Sequence, residues 1–186
     1  MQIATKAMAT PNHHVVILDA PGHSEFIPMM IQGTANADVA LLVVDASESF
    51  EAAFHHGQTK EHILLARGLG VSQVLVCVNK LDVMDWSREV YEGIRQQLWP
   101  FLTQQANFAP KRIRFVPTSG LTGINILKTK GQQYEPPNAL LQWYKEGPTL
   151  SQAIDSFQPV KHTSLGKFRI ATVCWLGCSL FFFFFL

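Results

Sequence analysis

Four short apolar runs divide the chain, and each is rich in β-branched residues. They cover residues 15–18, 39–44, 71–78 and 113–116. A mostly apolar run of about four to eight residues is typical of a strand that is buried on both faces, so we predict four such strands. Residues 1–10 and the turn Pro11-Asn12 predict a further short strand, which pairs with the first run as a hairpin.

The segments between these runs carry apolar residues at helical spacing. This spacing occurs at residues 24–36, 58–67 and 86–105, and TLSQAIDSF predicts another helix after Gly147-Pro148. Pro100 is expected to break or kink the third segment, because proline has no backbone N–H. Strands that alternate with helices indicate an α/β fold, in which helices cover both faces of a mostly parallel sheet.

Polar residues follow each predicted strand, and glycine is among them at two of the four ends. The sequences at the four ends are DAPGH at 19–23, DAS at 45–47, NKLD at 79–82 and TSG at 118–120. In folds of this class ligands bind beyond the carboxyl ends of the strands. The sequence therefore predicts a ligand site at this edge of the sheet.

The NKLD sequence has the chemistry for recognising guanine. The Asp82 carboxylate can accept hydrogen bonds from N1–H and from the exocyclic amine of guanine, and adenine offers neither in that arrangement. The stem of Lys80 can lie over the base, and Asn79 can tie the loop to neighbouring backbone and to the base edge. Backbone N–H groups of Ser119-Gly120-Leu121 can reach the guanine O6 atom. The alternative for NKLD is a polar turn that caps a strand.

The DAPGH sequence fits the phosphate end of a nucleotide. Asp19 would hold Mg²⁺ through a water molecule, and the Gly22 amide would approach the γ-phosphate, where only glycine avoids a clash. The His23 imidazole could position the attacking water. The alternative is an ordinary turn from a strand to a helix.

Composition limits the other possibilities. The formal net charge is +1, and no block of Lys or Arg is present, which argues against autonomous binding of nucleic acid. The three cysteines form no Cys-x-x-Cys pair, which favours a reducing, cytoplasmic location, with Cys77 in the core. The N-terminal residues have no apolar centre and do not resemble a signal peptide.

Two details of the second helical segment are also predicted. Ile63, Leu64 and Leu65 are expected to point inward, after a loop at residues 50–57. The histidines His55, His56 and His62 are expected to be solvated rather than metal ligands, since no carboxylate or cysteine completes a recognisable set.

These sequences resemble the translational GTPases, and among them the elongation factor 1-alpha branch that includes eukaryotic release factor 3 and the Hbs1-type ribosome-rescue factors. The resemblance covers residues 1–158 and includes VILDAPGHSEFIPMMIQGTANADVALLVVDAS and VLVCVNKLDVMDW. It implies a P-loop GTPase fold, GTP or GDP with Mg²⁺ as ligands, and the ribosome and a release-factor-1-like protein as partners. It implies metal and γ-phosphate roles for Asp19 and Gly22, catalysis by His23, and guanine binding by Asn79, Lys80, Asp82, Ser119 and Gly120.

The sequence departs from that family in one respect that concerns chemistry. None of its 12 glycines belongs to a G-x-x-x-x-G-K-[ST] phosphate loop, and the first strand and first switch of the family have no counterpart. We therefore expect residues 1–158 to be a partial GTPase domain with a guanine pocket but no phosphate cradle, which hydrolyses GTP no faster than buffer.

The remaining residues suggest a different origin. Residues 159–170 are expected to be a linker or the start of a truncated β-barrel, and residues 171–186 an apolar tail outside the resemblance that ends in five phenylalanines and a leucine. The tail could be a membrane anchor, although it is short for one. It could also be a translated pyrimidine-rich intron, which we favour. A place in the core is disfavoured, because the run of phenylalanines has no evident partner.

Two classes of function remain open beside a GTP-binding factor of ribosome rescue or termination. The chain could be an inactive truncated isoform that acts as an interaction module through residues 24–36. It could also be a tail-anchored membrane protein, through residues 170–186.

Overall fold

The computed structural model describes residues 4–20, 37–47, 50, 54, 59–127, 138–158 and 182–185. Its strands form one six-stranded sheet in the order β1-β2-β6-β3-β4-β5. The strands are β1 (Ala4–Ala9), β2 (His14–Ala20), β3 (Val39–Asp45), β4 (Gln73–Asn79), β5 (Ile113–Pro117) and β6 (Phe182–Phe185).

Four of the strands run in the same direction. β3, β4 and β5 are parallel neighbours, and β6 is antiparallel to both β2 and β3. β2 therefore runs the same way as β3, and the carboxyl ends of β2, β3, β4 and β5 lie at one edge of the sheet. The predicted mostly parallel α/β sheet is confirmed, as is the antiparallel hairpin of β1 and β2.

The phenylalanine strand β6 lies inside the sheet. It pairs with β2 from Ile17↔Phe185 to Ala20↔Phe182, and with β3 from Val39↔Phe185 to Leu41↔Phe183. The expectation that this run would find no partner in the core was wrong. Aromatic residues favour strands, and the facing edges of β2 and β3 supply backbone donors and acceptors on both sides.

The other predictions for the tail fall outside the described residues. Residues 159–181, which include the predicted linker and most of the apolar tail, are not among them, and neither is the predicted helix at 24–36. Among the helices that are described, none is long and apolar enough to cross a membrane.

Helices cover both faces of the sheet. They are α1 (Thr59–Gly68), α2 (Arg88–Pro100), α3 (Asn138–Tyr144) and α4 (Leu150–Asp155), with short 3-10 turns at Leu81–Met84 and Pro110–Arg112. Thr149 caps α4 in a reciprocal pair with Gln152, which explains why this predicted helix begins after Gly147-Pro148.

The helical segment predicted at residues 86–105 continues past Pro100, where we expected a break or a kink. α2 passes directly into a π-helical turn at Phe101–Gln105, so the helix widens after Pro100 and does not end there. The Thr103 hydroxyl donates a hydrogen bond of 2.8 Å to the Trp99 carbonyl. At the other end the helix starts at Arg88, two residues later than predicted, because Ser87 is its N-cap.

Alternate residues of the central strands face two separate hydrophobic cores. On one face β3 and β4 contribute Leu42, Val44, Val76 and Val78, which cluster with residues of α2 such as Leu98. On the other face Leu41, Leu75 and Cys77 cluster with Ala153, Ile154 and Phe157 at α4. Cys77 is buried as predicted.

Three local predictions before and within α1 were wrong. Phe50 and Phe54 are buried helical residues whose rings stack at 5.5 Å, rather than parts of a loop. Leu64 is 43% exposed instead of inward, whereas Ile63 is buried. His62 is only 4% exposed and not solvated, and its burial lowers the pKa of the imidazole to about 2.

Candidate functional site

The ends of β3, β4 and β5 meet at one edge of the sheet. Asp45 is the register partner of Asn79, and Val78 is the partner of Pro117. The Ala46 N–H donates to the Asn79 carbonyl at 2.8 Å, and the Thr118 N–H donates to the Val78 carbonyl at 2.8 Å. Three of the four predicted strand-end sequences are therefore brought together.

Asn79 joins the loops that follow β4 and β5. Its Oδ1 atom accepts a hydrogen bond of 2.8 Å from the Gly120 N–H. A Cβ atom at position 120 would lie 3.4 Å from this Oδ1, which is an ordinary van der Waals contact, so the hydrogen bond does not itself require glycine at this position. This contact connects NKLD to TSG across 41 residues of sequence.

Lys80 is held at both of its ends. Its backbone has the left-handed conformation, with φ 59° and ψ 27°, which is uncommon for a residue other than glycine. Its Nζ atom lies 2.5 Å from Oδ2 of Asp45, while the Ser47 N–H donates to Oδ1 of Asp45 at 2.9 Å. Partial burial acts to raise the pKa of Asp45, but the hydrogen bonds from Lys80 and Ser47 outweigh it and hold the pKa below its usual value.

Asp82 lies in the 3-10 turn directly after Lys80. Leu81 anchors this turn, because its side chain is fully buried and its N–H donates to the Thr118 carbonyl at 3.4 Å. Oδ1 of Asp82 is buried and has no hydrogen-bond partner in the described part of the chain. An unsatisfied buried carboxylate oxygen is costly, so this atom is suited to a donor from a ligand.

The loop after β5 is fixed from within. The Ser119 N–H donates to the Ile124 carbonyl at 3.1 Å, and Oγ of Ser119 accepts from the Thr122 N–H at 3.2 Å. Asn125 donates through Nδ2 to the Pro117 carbonyl at 2.7 Å. Leu121, at the tip of the loop, is 93% exposed.

Two of the three N–H groups that were predicted to reach the guanine O6 atom already donate within the protein. The N–H of Ser119 donates to the Ile124 carbonyl and that of Gly120 to Asn79. Of the three, only the N–H of Leu121 makes no hydrogen bond within the described residues.

Asp19, the one described residue among those predicted to bind the phosphate and metal, lies apart from this cluster. Asp19 is exposed near the end of β2, and both Asp19 and Leu41 pair with Phe183. Asp19 is thus level with Leu41, which lies four residues before Asp45 in β3. Four residues of a strand span about 13 Å along the strand direction. Gly22 and His23 fall outside the described residues.

Sequence reasoning gave no role to Asp45. It identified DAS as a strand-end sequence, but the contact with Lys80 follows from the parallel register of β3 and β4. The available signal was a carboxylate at the end of one strand and a lysine at the end of the next.

Neither a metal site nor the cavity between β3 and α2 involves the NKLD residues in the described part of the chain. No group of three or more His, Cys, Asp or Glu side chains that could hold a metal occurs in the described ranges. A cavity of about 360 Å³ lies between the end of β3 and α2, lined by Ala46, Ser47, Phe50, Val90, Gly93, Ile94 and Gln97. None of the NKLD residues lines that cavity.

Comparison with known proteins identifies the family. The family model described as "Elongation factor Tu GTP binding domain" matches residues 1–160. The chain belongs to the elongation factor Tu GTP-binding domain family.

Individual members of this family and one solved structure are also similar. The chain is 46% identical over 160 residues to Protein HBS1 of Drosophila melanogaster, an alignment that covers 85% of this chain and 23% of that protein. It is 44% identical over 152 residues to elongation factor 1-alpha of Entamoeba histolytica, covering 81% and 32%. The crystal structure of sup35 complexed with GMPPNP matches with a TM-score of 0.56 and 32% identity, covering 67% of this chain and 30% of that one. The chain thus spans about a third or less of the length of these relatives.

Proposed function

We propose that this chain binds guanine nucleotides, GTP or GDP, and recognises the base through Asn79, Lys80 and Asp82. The observation that carries this proposal is the buried Oδ1 atom of Asp82, which has no partner among the described residues. Leaving such a group unpaired costs about 1–3 kcal/mol, and more when it is charged. Guanine offers two adjacent donors, N1–H and the exocyclic amine, and these fit a carboxylate.

The neighbouring residues complete a pocket for the base. The aliphatic stem of Lys80 is available to one face of the ring, and the exposed Leu121 offers apolar surface to the other. The Leu121 N–H is the donor left for the guanine O6 atom. Ser119 and Gly120 support the site by holding the loop against Asn79.

The proposed contacts with Mg²⁺ and the γ-phosphate rest on the sequence. Asp19 would hold Mg²⁺ through a water, Gly22 would approach the γ-phosphate, and His23 would act on the attacking water. The position of Asp19, about 13 Å back along the strands, suits a nucleotide that lies extended across the edge of the sheet.

Fluorescent GDP provides a direct test of guanine recognition. We expect it to bind to the full chain, unlabelled GDP to displace it, and ADP to leave it bound at the same concentration. Asp82→Asn should weaken GDP about 10- to 150-fold, since a hydrogen bond to a charged group contributes about 1.5–3 kcal/mol. Equal competition by ADP and GDP would contradict the proposal.

We further propose that the chain comes from a cytoplasmic factor of ribosome rescue or termination, acting with the ribosome and a release-factor-1-like protein. The 46% identity to HBS1, next to 44% for an elongation factor 1-alpha, supports this branch, as does the likeness to sup35. The GTP-loaded chain should therefore bind a release-factor-1-like protein in preference to aminoacyl-tRNA. Preferential binding of aminoacyl-tRNA would assign it to elongation instead.

A further inference from the structure

The contact between Asp45 and Lys80 places a carboxylate beside the predicted base platform. Oδ2 of Asp45 lies 2.5 Å from Nζ of Lys80, and its other oxygen accepts the Ser47 N–H at 2.9 Å. The carboxylate is therefore oriented by its own loop before it meets the lysine.

The backbone around this pair is also fixed. The Ala46 N–H donates to the Asn79 carbonyl at 2.8 Å, which sets the end of β3 against the end of β4. The left-handed conformation of Lys80 directs its stem out of the strand. β4 fixes the backbone of Lys80, and Asp45 of β3 holds its ammonium group. The four-carbon stem between these two points is therefore restricted to few conformations.

Stability does not account for this arrangement. The Lys80 side chain is 57% exposed and that of Asp45 is 28% exposed, and ion pairs in such positions contribute little to folding. A free lysine has many rotamers, and it must give these up when its stem packs against a ligand. A tether that restricts these rotamers beforehand lowers the cost of binding.

We propose that Asp45 is a positioning residue for Lys80: it holds the ammonium group so that the stem forms a platform for the face of a purine base. This inference rests on the proposed guanine-nucleotide site. In this inference Asp45 orients the Lys80 stem that contacts the face of the base, and Asp82 recognises the edge of the base.

The test compares GDP with IDP, whose base lacks the exocyclic amine. Asp45→Asn should weaken both nucleotides by the same factor, up to about fivefold, the upper end for an exposed ion pair. Asp82→Asn should weaken GDP more than IDP, because it alters the contact with the amine. The matched control is Glu92→Gln, which removes one carboxylate of an exposed ion pair with Arg95 on α2 and should leave both affinities unchanged.

A double-mutant cycle separates positioning from a general effect of charge. Lys80→Met keeps an apolar stem but has no ammonium group for Asp45 to hold, so Asp45→Asn should have no further effect in that background. Thermal unfolding of Asp45→Asn should match that of the wild type, because the pair is exposed.

Three results would overturn the inference while leaving the proposed function intact. They are an unchanged GDP affinity in Asp45→Asn, independent additive losses in the double mutant, and a loss for GDP that exceeds the loss for IDP in Asp45→Asn. Absence of GDP binding by the wild-type chain would overturn the proposed function, and this inference with it.

Discussion

Oδ1 of Asn79 accepts a hydrogen bond of 2.8 Å from the backbone N–H of Gly120, and this one contact joins the loops after two neighbouring strands. The loops carry different parts of the proposed base pocket. Their mutual position therefore depends on the side chain of Asn79, which is also one of the residues proposed to recognise the base.

Removing this contact should affect stability and binding together. Asn79→Ala is expected to lower the free energy of unfolding by about 1 kcal/mol, the usual contribution of one hydrogen bond. GDP binding should weaken as well, because the loop that carries Leu121 is released. Thermal unfolding with and without GDP measures both effects. Gln96→Ala, at an exposed position of α2, is the control, and an equal loss in both variants would remove the special role of Asn79.

Asp82 should show opposite effects on stability and on binding. In the absence of nucleotide, Asp82→Asn removes a carboxylate whose buried oxygen has no partner in the described part of the chain, so the chain should unfold at the same or a higher temperature. The same variant should prefer xanthosine diphosphate to GDP, because an asparagine amide can donate to the additional carbonyl of xanthine.

Asp85→Asn is the matched control for Asp82→Asn. Asp85 is exposed, directly follows the 3-10 turn that contains Asp82 and has a left-handed backbone that asparagine tolerates. It should bind GDP as the wild type does. A shift towards xanthosine diphosphate in this control would mean that the loss of charge alone alters base selection.

The buried His62 should make the fold sensitive to acid. Burial lowers the pKa of His62 from 6.5 to about 2, so this imidazole stays neutral in the folded chain at a pH where the unfolded chain takes up a proton. The unfolded state then binds more protons, and stability falls as the pH falls below about 6.5, by up to about 1.4 kcal/mol per pH unit.

Urea unfolding at pH 7.5 and 5.5 checks this prediction. His62→Gln should lose less stability between the two values than the wild type does, even if it is less stable at pH 7.5. Equal losses for both proteins would show that other groups cause the acid sensitivity.

The interior strand β6 can be tested through its backbone. Phe184 pairs with Leu18 on one side and with Ala40 on the other. Phe184→Pro removes an N–H from the ladder and should destabilise the sheet, by about 3 kcal/mol or more if the cost resembles that of proline in a helix. Amide hydrogen exchange in β2 and β3 should accelerate.

Phe184→Ile is the matched control. It keeps the N–H and a high strand propensity, so β2 and β3 should retain their protection from exchange. Unchanged exchange in the proline variant would show that β6 does not occupy this position.

Local sequence patterns predicted the elements whose structure depends on neighbouring residues. The hairpin of β1 and β2 follows from two strand patterns around Pro11-Asn12, and α4 follows from its capping residue Thr149. The position of NKLD at the end of a buried strand was predicted in the same way, because an apolar run defines where the strand ends.

Features that depend on distant residues were missed. The contact of Asp45 with Lys80 needs the register of two strands, and the burial of His62 needs the arrangement of elements around α1. Pro100 marked a place of irregularity, but the rule for proline did not predict its form, which is a π-helical turn that begins directly after Pro100. The place of β6 follows only from the unpaired edges of β2 and β3.

The position of β6 has a consequence for the order in which the protein can fold. A ribosome makes β1 to β5 before β6, yet β6 lies between β2 and β3. A nascent chain can therefore pair β3, β4 and β5 early. The hairpin of β1 and β2 can join them only after β6, a strand of much higher residue number, has been made. Until then two strand edges are open to other chains, so this is the stage of synthesis at which misassembly is most easily started.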